Sequence, residues 1–144
     1  MRVGGWVVQF CALLSILCIG LCGCGASGVK PPNLPESVAP DWTRASVQEM
    51  PVGEFPDLVR ASGVKQGWRT EYRTAAGTLA RVEIYGLNSS AQGLDLVQKW
   101  HPQPENAQFY TEHYLLNVAW PKDAKHDELA SLVRSLPKLV EQGK

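Results

Sequence analysis

Hydrophobic and polar positions alternate most clearly in the middle of the chain. From Trp68 to Thr74, Trp68, Tyr72 and two threonines alternate with Arg69, Glu71 and Arg73. From Leu79 to Tyr85, Ala80, Val82 and Ile84 alternate with Arg81, Glu83 and Tyr85. A period of two belongs to a half-buried strand. Ala75-Ala76-Gly77 between them predicts a turn with Gly77 at positive φ, so the pair reads as a hairpin. Further on, Asn88-Ser89-Ser90 supplies short polar side chains that can cap a helix. Leu94, Val97 and Trp100 then recur at threes, and Pro102 ends the run. Phe109 to Trp120 returns to strand, bent at Glu112-His113, with Tyr114, Leu116, Val118 and Trp120 on one face. Leu129, Leu132, Val133, Leu136 and Val140 form one helical stripe over Asp127–Val140. Asp127 and Glu128 sit at its favourable positive end, and Pro137 should kink or shorten its last turn. Weaker patterns predict a strand over Trp42–Met50 and a helical turn over Glu54–Ala61.

These elements predict an α+β fold: an antiparallel sheet with two helices packed on one face, in the order β-β-α-β(β)-α. Trp68–His101 and Phe109–Val140 read as two strand–strand–helix units with faint mutual similarity. The domain spans residues 41–144 and is large enough to fold without staples.

The N-terminal part is organised differently. Met1 to Gly5 carries Arg2, and Trp6 to Leu21 is an apolar stretch of 16 residues broken only by Gln9, Ser15 and Gly20. That is a signal-peptide h-region, and it is short of the roughly 20 residues of a membrane-spanning helix. Gly25 to Pro40 is rich in Gly, Ser and Pro and predicts a flexible linker. Such a linker would hold the domain roughly 20–25 Å from a membrane.

The cysteines sharpen this picture. All four, Cys11, Cys18, Cys22 and Cys24, lie ahead of the domain, so no disulfide framework is available to it. The junction Leu21-Cys22-Gly23-Cys24 resembles the lipobox of bacterial lipoproteins: an aliphatic residue, a tolerant position, a small residue and the lipid-bearing cysteine. Cys22 departs from the commoner Ala, Ser or Thr. The resemblance implies a signal peptide over residues 1–23, cleavage between Gly23 and Cys24, and a diacylglyceryl group on the Cys24 sulfur. A nucleophilic thiolate suits that transfer, and a small Gly23 lets the backbone enter a protease site. Two or more acyl chains make such an anchor effectively permanent. The partner implied is therefore a membrane, through lipid on Cys24, with envelope proteins beside it. In a double-membraned cell, Gly25, which is not the retaining aspartate, implies the outer membrane, facing the periplasm. A plain signal peptide and a signal anchor are the alternatives, and zinc held by Cys18, Cys22 and Cys24 is a remote third.

The formal charge is zero, and losing Arg2 brings the mature chain to about minus one. That leaves no basic footprint for nucleic acid. Candidate chemistry is sparse. His101, His113 and His126 have no close ligand spacing, so no metal or cofactor is implied. There is no G-x-S-x-G elbow. Glycosidase-type carboxylate pairs are spatial and invisible at this level. The aromatic load of Trp42, Trp68, Trp100, Trp120, Tyr72, Tyr85, Tyr110 and Tyr114 reads first as core. A sharper reading is a partner-binding face of Arg81, Glu83 and Tyr85, with Arg69 and Arg73 alongside. The expectation is thus a non-enzymatic envelope lipoprotein acting in interaction or assembly, with an envelope hydrolase or small-ligand binder as the alternative.

Overall fold

The computed structural model describes residues 28–38, 40–101 and 103–142. The expected signal peptide over residues 1–23 and Cys24 after it lie outside the described residues. Among those described, no helix is long and apolar enough to cross a membrane.

Seven strands form one antiparallel sheet: β1 (Ser37–Val38), β2 (Trp42–Arg44), β3 (Gln48–Glu49), β4 (Gly67–Arg73), β5 (Leu79–Gly86), β6 (Asn106–Tyr110) and β7 (Tyr114–Ala119). The spatial order is β1-β2-β4-β5-β7-β6, with β3 also pairing β4. The helices are α1 (Asp57–Ala61), α2 (Ser90–Lys99) and α3 (His126–Gln142), and a 3-10 turn spans Val52–Glu54.

The expected hairpin is present. Arg73 pairs with Leu79 and Gly67 with Tyr85, and Gly77 closes the turn at φ 90°. The predicted strand over 42–50 is broken in two. Arg44 lies opposite Tyr72 and Gln48 opposite Arg69, so three residues, 45–47, on one side face two, 70–71, on the other. That is a β-bulge. Thr70 occupies the gap, its hydroxyl donating to the Ala45 and Ser46 carbonyls at 3.1 and 3.3 Å. The predicted bent strand over 109–120 is the β6–β7 hairpin. Its turn is held by Thr111 Oγ1, which accepts from Tyr114 N at 3.1 Å.

The α+β class stands, but the sheet dominates, the element order is longer than expected, and the helices do not share a face. Strand alternation gives the sheet two apolar sides. Trp68, Tyr72, Ala80, Val82, Ile84, Leu116 and Val118 form one core with Leu129, Leu132, Leu136 and Val140 of α3. Tyr85, Leu87 and Leu115 point the other way and pack with Val59 of α1, Leu96 of α2, and Phe55, Met50 and Val64. A rotation carrying β4–β5 onto β6–β7 within the sheet would keep the following helices on one face. Their opposite placement argues against a simple repeat.

The helices differ from expectation in detail. Ser89 caps α2, its Oγ accepting from Gln92 N at 3.3 Å. Leu96, not Leu94, is the fully buried residue, and Leu94 is 43% exposed. Gly93 explains the rotation. A methyl there would lie 2.7 Å from Leu87 Cδ1 and 2.8 Å from Tyr110 Cβ, so the helix presses its Gly93–Leu96 face against the sheet. In α3 the helix continues through Pro137 to Gln142 and is not shortened.

Residues 28–38 are the largest departure. The expected linker packs on the domain from Gly28 onward. Val29 and Leu34 join the α3-side core, and β1 pairs β2 through Ser37–Thr43 and Val38–Trp42. Tyr72 Oη and Arg44 Nε both donate to the Pro35 carbonyl, at 2.9 and 3.2 Å. Trp42 Nε1 donates to the Glu128 carbonyl at 3.1 Å, fastening this edge to α3. Proline and glycine here set an extended path while Leu34 and Val38 supply the buried contacts, so composition alone misreads the segment as a tether.

Candidate functional site

The alternation that sends Ala80, Val82 and Ile84 towards α3 sends Arg69, Glu71, Arg73, Leu79, Arg81 and Glu83 to the opposite face. Register arranges that face in rows. One row is Gly67, Tyr85, Leu115 and Tyr110; the next is Arg69, Glu83, Asn117 and Gln108; then come Glu71, Arg81, Ala119 and Asn106; and last Arg73 and Leu79. The first row lies under α1, α2 and Phe55. The remaining rows form an open polar half, which is the candidate site.

A hydrogen-bond chain crosses it. Tyr85 Oη and Asn117 Nδ2 both donate to Glu83 Oε2, at 3.0 and 3.1 Å. Gln108 Nε2 donates at 2.9 Å to Asn117 Oδ1 and to Asn106 Oδ1. Arg69, opposite Glu83, instead reaches Glu54 at 2.6 Å, and Arg81 stands 3.9 Å from Glu71. Exposed pairs of this kind contribute little to stability, so a partner's charges can replace them at small cost. Arg73 is exposed and makes no ion pair with another described residue. Beside it, Asp41, Thr43, Arg44, Glu71 and Thr74 help to line a shallow pocket of about 370 Å³.

The residues expected to form a partner face are therefore adjacent, with one change of role. Arg81 is exposed, Glu83 is half-buried, and Tyr85 is fully buried. Phe55 covers the Tyr85 ring edge-on at 5.4 Å between centroids, so Tyr85 is not an exposed anchor. Burial, with the Glu83 charge and hydrogen bond adding to it, pushes its phenol far above the ordinary tyrosine range. Burial likewise raises Tyr72 to about 12 against the opposing pull of Arg44, and it raises Tyr114. Arg69 and Arg73 do lie alongside Arg81 on this face.

The histidines are spread out. His113 sits in the β6–β7 turn, 3.6 Å from Glu112, and His101 follows α2. His126 opens α3, whose Glu128 accepts from Thr78 in the turn at the far end of the sheet. Among the described residues no group of three or more His, Cys, Asp or Glu is placed to hold a metal ion. Sequence reasoning missed Asn106, Gln108 and Asn117. The available signal was Asn117 itself, a polar residue inside Leu115-Leu116-Val118.

Compared with known protein families, curated proteins and solved structures, the chain matches none.

Proposed function

We propose that this protein is a bacterial envelope lipoprotein, held on a membrane by acyl chains on Cys24, whose domain acts without catalysis as an interaction or assembly accessory. The observation that carries the reading is Leu21-Cys22-Gly23-Cys24 directly behind an apolar segment of signal-peptide length. In a double-membraned cell, Gly25 favours the outer membrane, facing the periplasm. The open sheet half supports the interaction role: Arg69, Arg73, Arg81, Glu71 and Glu83 offer both charge signs on a rigid strand scaffold. Arginine is a residue type enriched at binding hot spots, and strand residues hold their positions better than loop residues do.

The test has two arms. Cys24→Ser should abolish lipid attachment and block cleavage, leaving the chain at precursor mass with residues 1–23 still attached. A photo-crosslinker at Leu79, beside Arg81 on the open face, should capture an envelope protein in cells, and the same probe at exposed Lys138 on α3 should not. Cleavage before residue 24 unaffected by Cys24→Ser would overturn the anchor. Equal labelling from both positions would overturn the partner face.

A further inference from the structure

Three contacts fix where the chain enters the domain. Gly28 lies against the Gln66 side chain and Val29 against Gly86. Tyr114 Oη donates to the Lys30 carbonyl at 2.8 Å. Gln66 precedes β4, Gly86 ends β5 and Tyr114 begins β7, so all three mark one end of the sheet. Residues 25–27 alone separate that end from Cys24. At about 3.3–3.6 Å per residue when fully extended, the four steps from Cys24 to Gly28 span at most about 14 Å. The β4–β5 turn at 74–78 lies at the other end. It is six or more strand steps beyond Gly67, roughly 20 Å further at about 3.3 Å per step.

We infer that the domain stands upright on the bilayer, with this end against the lipid headgroups and the β4–β5 turn pointing away. The inference rests on lipidation of Cys24. The 62–66, 87–89 and 111–113 loops form the membrane-facing surface. Their exposed side chains, Lys65, Asn88, Ser89, Glu112 and His113, are polar, so they meet headgroups and do not enter the acyl layer. The exposed large hydrophobics among the described residues, Val52, Leu94 and Tyr110, lie outside these loops. The upright stance presents the rows of Arg81 and Arg73 to the compartment and leaves them clear of the membrane. A free linker from Cys24 to Pro40 would impose no such orientation.

Fluorescence quenching on vesicles tests this. The mature chain has no cysteine after Cys24, so Asn88→Cys and Ala76→Cys each add one labelling site to the lipidated full-length protein. Both positions are exposed. In phosphatidylethanolamine/phosphatidylglycerol vesicles with a headgroup-linked nitroxide, a dye at residue 88 should be quenched severalfold more than a dye at residue 76. Inserting a dozen Gly/Ser residues after Gly25 should erase the difference. Equal or reversed quenching in a sample whose mass shows the lipid would overturn the orientation and leave the anchor standing. A mass without lipid would overturn both.

Discussion

Replacing Leu34 by alanine separates a packed segment from a tether. Leu34 is 4% exposed and belongs to the core beneath α3. Leu→Ala in a core costs about 2–5 kcal/mol, with the spread set by how far the site collapses. Leu34 lies on a segment anchored at Lys30, Pro35 and Val38, which can close partly over the gap, so the lower part of the range applies, about 2–3 kcal/mol. Unfolding entropy of about 2.1 cal/mol/K per residue over roughly 115 residues gives about 0.24 kcal/mol/K, so Tm should fall by about 8–12 °C. Thermal and urea unfolding of residues 24–144 carrying Cys24→Ser, expressed without the signal peptide and followed by tryptophan fluorescence, measure this, since Trp42 and Trp68 are buried. Asn33→Ala, at an exposed neighbour, should change stability by under about 0.5 kcal/mol. If Leu34→Ala is equally mild, residues 28–38 are a linker and the orientation argued above fails with them.

Glu83→Leu should destabilise by about 1–3 kcal/mol, because buried Tyr85 Oη and Asn117 Nδ2 lose their acceptor. Glu83→Gln keeps an acceptor and should cost visibly less in the same urea titration. Gly93→Ala should destabilise despite alanine's helix preference of about 1 kcal/mol, since overpacking against Leu87 and Tyr110 costs about 1–3 kcal/mol; a raised Tm would contradict the close α2–sheet contact. Tyr72 ionises near 10 unfolded and near 12 folded, so the folded state holds its proton more tightly. Its contribution is full below pH 10 and is lost as pH rises to 12. Tyr85 acts in the same direction. Tyrosinate absorbance should therefore rise together with unfolding, and complete titration of a still-folded chain would refute the burial argument. Arg81→Glu should leave Tm within a few degrees, since the residue is exposed, while abolishing capture at the open sheet half.

The parts legible from the chain are those where neighbours in sequence decide the structure. Ala80, Val82 and Ile84 alternate against charged residues, and the β4–β5 hairpin follows from that alone. Leu129, Leu132, Leu136 and Val140 likewise set the buried stripe of α3. What escaped depends on distant contacts. Alternation correctly placed Tyr85 on the polar face, yet Phe55 buries it. Leu94 fits a helical period as well as Leu96 does, and only the approach of Gly93 to Tyr110 decides between them. Asn106, Gln108 and Asn117 become a network through the β6–β7 register. The opposite placement of α2 and α3 follows from how the β5–α2 and β7–α3 connections cross the sheet, which hydrophobic period does not encode. Gly28–Val38 has the composition of a tether, but Leu34 and Val38 find a gap beside α3.

Intact-mass spectrometry of the protein extracted from membranes bears most directly on the anchor. The account predicts a chain beginning at Cys24, heavier than residues 24–144 by a diacylglyceryl group, with or without a third acyl chain on the amine. A chain still beginning at Met1, or one carrying a free Cys24 thiol, would contradict it.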